Sequence, residues 1–151
     1  MKTLILGLGN PILSDDSVGL HVADRLGDLI AEAQVVTTHL VGLNLLETLQ
    51  GYDRLYLVDA CLSDGKPGEA WKRLPDGRGA LHLFTSHGLD FWSLMELGRT
   101  LGLNMPKAIM VYGVEIKTPF AFGEGLSPEL NSKVPRLAEE IAYDIRSIEA
   151  L

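Results

Sequence analysis

Residues 3–19 read TLILGLGNPILSDDSVG, and this stretch decides the fold class. Thr3–Leu8 is a continuous apolar run of strand length that ends at a glycine turn, as expected for a buried parallel strand. The turn leads to Ser14 and to the paired acids Asp15 and Asp16, which can cap a following helix and favour its positive end. A strand that passes through a glycine turn into a helix is typical of an α/β domain.

The spacing of Gly7 and Gly9 after a strand resembles that of a phosphate-binding loop, but two observations argue against a dinucleotide site. That fingerprint needs a third glycine three residues after the second, and Ile12 stands there. It also needs an acid after the second strand, where this chain has Thr37, Thr38 and His39. Because phosphate would also lie beside two anions, the acids indicate a cation, or chemistry on a polypeptide.

The rest of the chain alternates strand and helix patterns. Strands are predicted at residues 34–39, 54–58, 69–74 and 108–114, of which 69–74 is an edge strand that could be antiparallel. Helices are predicted over residues 18–29, 43–49, 91–101 and from Ser127, the N-cap ahead of Pro128. The alternation predicts one α/β domain over residues 1–151. It is a three-layer sandwich with a mostly parallel twisted sheet, helices on both faces and one possible antiparallel edge strand.

Composition narrows the function classes. The net charge of −7 disfavours nucleic acid as a partner, since phosphate binding needs a basic face. The single cysteine, Cys61, rules out an internal disulfide and favours the reducing cytoplasm. No run approaches the roughly 18–20 apolar residues of a membrane span, and the first residues do not form a signal peptide. Composition thus predicts a cytoplasmic domain and leaves the oligomeric state open.

Polar side chains follow the ends of the predicted strands. Asp15 and Asp16 follow the first strand, His39 closes the second, Asp59 closes the third, and His87 precedes a helix. Because parallel strands end at one edge of a sheet, these side chains could converge on one crevice. Two carboxylates and an imidazole suit nickel, zinc or manganese. The favoured metal trio is Asp16, Asp59 and His87.

Each member of the trio also admits a structural role. Asp16 and Asp15 can each have a purely structural role as a helix cap, and Asp59 can begin a turn. A histidine such as His87 after a strand is more often a surface or capping residue. Of the paired acids, Asp15 is the better candidate for helix capping and Asp16 for metal contact.

Three further residues receive no catalytic assignment. His21 lies within the first helix and is predicted to be structural or solvated. His82 lies in the short, ambiguous run 81–85 and receives no role. Cys61 is predicted to be a small buried hydrophobic residue and not a nucleophile.

With these residues assembled, the sequence resembles the hydrogenase maturation proteases. These cytoplasmic endopeptidases trim a short C-terminal extension from the large subunit of nickel–iron hydrogenases. The resemblance spans nearly the whole chain. It rests on the opening motif 7–19, the strand end 57–60 (LVDA), the pair Ser86-His87, the strand end 112–115 (YGVE) and the helix start 125–128 (GLSP).

The resemblance implies that Asp16, Asp59 and His87 contact nickel already inserted in the large-subunit precursor. The nickel would then arrive with the substrate, and no organic cofactor is expected. Asp16 and Asp59 are also the candidate catalytic residues, because a carboxylate can act as metal ligand or as general base; the sequence leaves that choice open.

Some positions depart from the family pattern. Ser17 stands where many relatives carry glycine, and Ile116 follows Glu115 where a proline-containing continuation is usual. Residues 37–40 (TTHL) replace an acidic, glycine-containing segment and look more like the proteases that serve soluble hydrogenases; the role of His39 is open. The loop 117–125 is interpreted either as a grip on the substrate tail or as an exposed connection.

Two other functions are alternatives. Peptidyl-tRNA hydrolase also opens with a Gly-Leu-Gly-Asn-Pro turn, but it expects a Tyr and a Thr-Arg-His-Asn stretch where this chain has residues 14–17 (SDDS). A nickel-dependent chaperone or docking module would use the same three ligands without catalysis.

Overall fold

The computed structural model of the chain describes residues 1–39, 42–62, 71–83, 90–117 and 121–150. The strands are β1 Thr3–Leu8, β2 Gln34–Thr38, β3 Arg54–Cys61, β4 Trp71–Arg73 and β5 Ala108–Glu115. The helices are α1 Val18–Leu29, α2 Asn44–Leu49, α3 Phe91–Thr100 and α4 Pro128–Glu149, and a 3₁₀ helix at Ser14–Ser17 precedes α1. These elements confirm the predicted alternation of strands and helices.

The strands form one sheet in the order β2-β1-β3-β5-β4. The pairs β1–β2, β1–β3 and β3–β5 are parallel, and β4 pairs antiparallel with β5 at the edge. The predicted mostly parallel sheet with an antiparallel edge strand is therefore confirmed. None of the helices in the described part of the chain combines the length and apolar character that crossing a membrane requires.

Alternating side chains of the strands divide the core into two layers. From β3, Tyr56 and Val58 pack with α1 and α4 on one face of the sheet. Leu55 and Leu57 point to the opposite face and pack with α2 and α3. The period of two along a strand thus explains why a continuous apolar run needs helices on both sides.

The glycines of the opening motif allow α1 to lie directly on the strand backbones. A Cβ on Gly7 would be 2.5 Å from the carbonyl oxygen of Gly19. A Cβ on Gly19 would be 2.3 Å from the carbonyl oxygen of Leu8 and 2.5 Å from that of Val58. These positions need glycine because two backbones meet there, which leaves no room for a side chain.

One strand boundary near the site differs from the sequence prediction. β3 does not end before Asp59 but continues to Cys61, because its pairing with β5 extends as far as Glu115. The described part of the ambiguous run, residues 81–83, forms a turn next to an isolated bridge between Ala80 and Cys61. The predicted segments 63–70, 84–89 and 118–120 lie outside the described residues.

A charged cluster joins the edge strand to α4. The guanidinium of Arg73 donates to both carboxylate oxygens of Asp144, with Nη2–Oδ1 at 2.6 Å and Nε–Oδ2 at 2.9 Å. The hydroxyl of Tyr112 donates to Oδ2 of Asp144 at 2.7 Å. The hydrogen bonds from Arg73 lower the pKa of Asp144 below its ordinary value of 3.8; partial burial opposes them, and the Tyr112 hydrogen bond adds to them.

We expect Gly19→Ala to destabilise the fold by about 1–3 kcal/mol, because the new methyl group would overlap two carbonyl oxygens. Gly27→Ala in the same helix is the matched control, since its Cβ would meet only side-chain atoms of Val35, the nearest at 3.0 Å, and no backbone atom of another element. The control gains helix propensity, about 1 kcal/mol, without a backbone clash. Urea unfolding followed by circular dichroism measures both. Equal stability of the two variants would contradict the close-approach argument.

We expect Asp144→Asn to lower the free energy of unfolding near neutral pH and to have no effect in strong acid. Because the folded pKa of Asp144 is below its unfolded value, the carboxylate stabilises the fold above pH ~4, and this contribution is lost as the pH falls through the folded pKa. Urea midpoints across the acid range check this result. Asp24→Asn, at an exposed position, is the control and should shift the midpoints little.

Candidate active site

The order of the strands creates a crevice between the carboxyl ends of β1 and β3. The chain moves from β1 to β2 on one side and reaches β3 on the other, so the strand order reverses at this point. Pairing of β1 with β3 ends at Gly7 and Val58, whereas β3 continues to Cys61. Ligands of such sheets bind at this reversal, beyond the strand ends.

The first carboxylate in the crevice is Asp16. It lies in the 3₁₀ helix that follows β1, and its side chain is only 4% exposed. The backbone N–H of Asn10 donates to Oδ2 of Asp16 at 3.0 Å. Gly9 permits this approach, because a Cβ there would lie 2.8 Å from the carbonyl oxygen of Asp16. The glycine turn therefore holds a carboxylate where a nucleotide loop would hold a phosphate.

The second carboxylate, Asp59, lies in the overhanging end of β3 and is fully buried. Residues 79–82 run antiparallel beside this overhang, where the N–H of Leu81 donates to the carbonyl oxygen of Ala60 at 3.0 Å. The same segment brings the backbone N–H of His82 to Oδ2 of Asp59 at 2.7 Å. The end of β3 is thus paired on both edges, and Asp59 points toward His82.

The imidazole of His82 lies between the two carboxylates. Its Nδ1 is 2.6 Å from Oδ1 of Asp59, and its Nε2 is 3.0 Å from Oδ2 of Asp16. The ring is 18% exposed, so it is more accessible than either carboxylate. Ionised carboxylates only accept hydrogen bonds, and both ring nitrogens can donate only when the ring is protonated.

The electrostatics of His82 favour a protonated ring. Burial lowers the pKa of His82, but the hydrogen bonds and charges of Asp16 and Asp59 outweigh it and raise that pKa to about 10. Burial raises the pKa of Asp59, and its contacts with His82 oppose that shift. A protonated ring can donate one N–H to each carboxylate and offsets one negative charge in the crevice.

The structure brings together two of the three predicted metal ligands. Asp16 and Asp59 contact the same ring, as the argument from strand ends required, while His87 lies outside the described residues. Their roles stay predictions, because in the described part of the chain no group of three His, Cys, Asp or Glu has a geometry that holds a metal ion. His39 is exposed just after β2.

His82, which the sequence left without a role, lies between the two predicted carboxylates. The run 80–83 (ALHL) contains a polar residue between two leucines, and Leu83 is fully buried. A histidine enclosed in an apolar run needs a buried partner, and this is the signal that could have identified it.

The prediction that Asp15 caps a helix was also wrong. No side chain caps the 3₁₀ helix or α1, because Asp15 lies inside the 3₁₀ helix and not ahead of it. Its carboxylate instead accepts from the backbone N–H of Ser127 at 2.8 Å and from the Ser127 hydroxyl at 2.9 Å. Ser127 is the N-cap of α4 as predicted, and it accepts from the N–H of Leu130.

The loop before α4 is also joined to the opening motif through its backbone. Gly123 donates its N–H to the carbonyl oxygen of Ile12 at 3.0 Å and accepts from the N–H of Ser14 at 2.9 Å. Ser14 has a positive φ of 45°, an unusual conformation for a residue other than glycine. The side chain of Phe122 is exposed beside this junction. The described part of the loop is therefore attached to the turn that carries Asp16.

Cys61 and Glu115 end the two strands beside Asp59. Cys61 is fully buried, and burial, followed by the nearby Glu115 charge, raises its thiol pKa to about 12. The predicted buried, unreactive cysteine is thus in agreement with the structure. Glu115 is buried, and its Oε1 forms an ion pair with Nζ of Lys72 at 3.0 Å.

Comparison with known sequences decides the family. The sequence model described as hydrogenase maturation protease matches residues 21–144 of this chain. The chain belongs to the hydrogenase maturation protease family. As a member of that family, it is a hydrolase that acts on peptide bonds.

Individual relatives agree with this assignment. The chain is 25% identical to the hydrogenase 2 maturation protease of Escherichia coli (strain K12) over 160 positions, which cover 100% of this chain and 96% of that protein. It is 24% identical to the hydrogenase expression/formation protein HupD of Thiocapsa roseopersicina over 150 positions, covering 94% of this chain and 67% of that protein.

Solved structures confirm the fold. The maturating endopeptidase HybD from E. coli superposes with a TM-score of 0.75 at 21% identity, over 97% of this chain and 93% of that one. The [NiFe] hydrogenase maturation protease HybD from Thermococcus kodakarensis gives a TM-score of 0.66 at 27% identity, over 96% and 99% of the two chains. The family model matches from residue 21 onward, so the position of Asp16 in the crevice rests on the structure and not on that match.

We expect Asp15→Ala to lower the free energy of unfolding by about 1.5–3 kcal/mol, since two hydrogen bonds to a charged group are lost. Asp24→Ala, which removes an exposed acid from α1, is the control and should have little effect. A double-mutant cycle with Ser127→Ala isolates the hydrogen bond from the Ser127 hydroxyl, since the backbone N–H stays in place. Strict additivity of the two substitutions in urea unfolding would show that this hydroxyl bond does not stabilise the fold.

Proposed function

We propose that the chain is the endopeptidase that removes the C-terminal extension of a nickel–iron hydrogenase large-subunit precursor after nickel insertion. The observation that carries the proposal is the pair of buried carboxylates, Asp16 and Asp59, at the strand reversal of a maturation protease fold. The names of its relatives supply the substrate class. The single cysteine is consistent with a reaction in the cytoplasm.

In this proposal Asp16, Asp59 and His87 recognise the nickel that the precursor already holds. Carboxylate oxygen and imidazole nitrogen are suitable ligands for nickel. The metal belongs to the substrate, so a site with few ligands from the protease is sufficient, because the precursor supplies the others. Contact between the carboxylates and the nickel would place the adjacent scissile peptide in the crevice.

The reaction is hydrolysis of one peptide bond. Water adds to the carbonyl carbon, the bond between carbon and nitrogen breaks, and the leaving amine takes a proton. A cation near the carbonyl oxygen would polarise the bond, and Asp16 or Asp59 could accept the proton of the water. The part of the loop that pairs with residues 12–14 lies beside the same turn, in a position to contact the extended tail.

Family membership favours this function over the two alternatives. A peptidyl-tRNA hydrolase would need a catalytic histidine near the opening turn, whereas His21 is exposed on α1. A docking module without catalysis would use the same ligands, and the mass of the precursor distinguishes it from a protease. A stable complex that never shortens the precursor would favour the module.

We expect the protein to shorten nickel-loaded precursor and to leave nickel-free precursor intact, as followed by mass spectrometry. Equal cleavage of both would contradict nickel recognition. Asp16→Asn and Asp59→Asn should reduce the cleavage rate by about 100-fold or more, as for loss of a general base. His21→Ala, an exposed histidine outside the crevice, is the control and should cleave normally.

The same variants separate the roles of the two carboxylates. An Asn side chain keeps an oxygen but cannot accept the proton of the attacking water. A variant that still binds nickel-loaded precursor without cleaving it would identify a general base. A variant that loses both binding and cleavage would identify a residue that recognises the metal. Full activity in either variant would remove that residue from the site.

A further inference from the structure

The large apolar side chains that the described chain exposes are concentrated at one edge of the sheet. Four of these seven residues follow the carboxyl end of a parallel strand, namely Ile12 after β1, Leu43 after β2, Leu62 after β3 and Phe122 after β5. Because parallel strands end at one edge, this is the edge that also carries Asp16 and Asp59. Exposed apolar residues grouped in one region indicate a surface that contacts another molecule.

Ile12 and Phe122 are the part of this surface that backbone pairing brings together. Leu13 and Gly123 are partners in a parallel bridge. Ile12 and Phe122 precede them and are therefore neighbours in the same register, on segments about 4.8 Å apart. Side chains of such neighbours project from the same face. Ile12 is 55% exposed and Phe122 is 84% exposed, so the pair presents one apolar surface to solvent.

Hydrogen bonds fix this apolar pair relative to Asp16. The N–H of Ile12 donates to Oδ1 of Asn10 at 3.1 Å, and the N–H of Asn10 donates to Oδ2 of Asp16 at 3.0 Å. The N–H of Gly123 donates to the carbonyl oxygen of Ile12 at 3.0 Å. A molecule that covers the pair therefore lies next to the turn that holds Asp16.

We propose that Ile12 and Phe122 bind the C-terminal tail of the large-subunit precursor as an extended strand, with an apolar side chain of the tail against the pair. This inference rests on the proposed function, because that function supplies the polypeptide that has to reach the crevice. It identifies two residues that select the substrate by the sequence of its tail, in addition to its nickel.

The backbone of Phe122 favours an extended polypeptide over a small apolar ligand. Its N–H and carbonyl oxygen form no hydrogen bond with another residue in the described part of the chain. Residues 121–125 are all exposed, which leaves room for a second strand beside them. An extended segment can pair with such a free edge through its own backbone and place alternate side chains on one face. The tail would then run beside the turn that carries Asp16.

We expect Phe122→Ser and Ile12→Ser each to raise the KM for nickel-loaded precursor about tenfold and to change kcat much less, because a binding contact away from the reacting bond is lost. Phe122→Leu keeps an apolar side chain and should restore most of the loss. Tyr143→Ser, which removes an exposed aromatic residue from α4, is the control. Circular dichroism checks folding. Unchanged KM in both Ser variants would overturn the proposal.

Two further substitutions separate strand pairing from apolar contact. Proline has a larger apolar surface than alanine but has no backbone N–H. Phe122→Pro should therefore have a higher KM than Phe122→Ala, because backbone pairing is lost together with the ring. An equal or lower KM for the Pro variant would overturn binding as an extended strand.

An introduced thiol tests occupation of the site without any cleavage. Cys61, the single cysteine of the chain, is buried, so Phe122→Cys supplies an accessible thiol. Brief treatment with iodoacetamide, followed by the mass of the protease chain, should modify this thiol about tenfold more slowly when nickel-loaded precursor is in excess. Precursor that already lacks its C-terminal extension should not protect it. Tyr143→Cys is the control and should react equally with and without precursor.

The outcomes distinguish the tail site from the proteolytic function. Protection by the shortened precursor, or no protection by the complete one, would overturn the assignment of the tail to this site. Protection of Phe122→Cys by a precursor that is never shortened would keep the tail site and reject proteolysis. Shortening of the precursor with no protection and unchanged KM would keep proteolysis and reject the tail site.

Discussion

The structure depends on the direct contact between the backbone of α1 and the carboxyl ends of β1 and β3. The missing side chain of Gly19 lets the helix lie against the carbonyl oxygens of Leu8 and Val58, and Gly7 meets Gly19 from the strand. A helix held one side chain further away would carry the preceding 3₁₀ helix with it. Asp16 would then lie too far from the overhanging end of β3 to share an imidazole with Asp59. The glycines resemble those of a phosphate loop, but in this fold they allow the helix and strand backbones to pack in direct contact.

That packing places two buried carboxylates near each other, and the compensating groups come from the same part of the fold. Two carboxylates, with side chains 4% and 0% exposed, lie on either side of one crevice, and burying charge without a partner is costly. The imidazolium of His82 supplies the opposite charge, and two backbone N–H groups orient the carboxylates. The site therefore has the electrostatic character of a cation site even when the cation is a side chain.

Sequence patterns predict this fold well and the site only in part. Four apolar runs are long enough to identify the parallel strands, and the rule that ligands bind beyond strand ends is enough to select Asp16 and Asp59. The same rule does not select His82, because this residue reaches the crevice on a short segment that pairs with the overhanging end of β3. The length of that overhang is set by pairing with β5, a contact between residues more than fifty positions apart. Periodicity within one segment carries no information about it.

The paired acids of the 3₁₀ helix point in different directions and contact different parts of the structure. A 3₁₀ helix has three residues per turn, so adjacent side chains leave it in directions about 120° apart. Asp16 points to His82 and Asp59, whereas Asp15 points away and binds the N-cap of α4. Since residues 12–14 also pair with Gly123, the turn connects the loop before α4 to the carboxylates. The adjacent acids thus have different partners: Asp15 anchors the turn to the start of α4, and Asp16 faces His82.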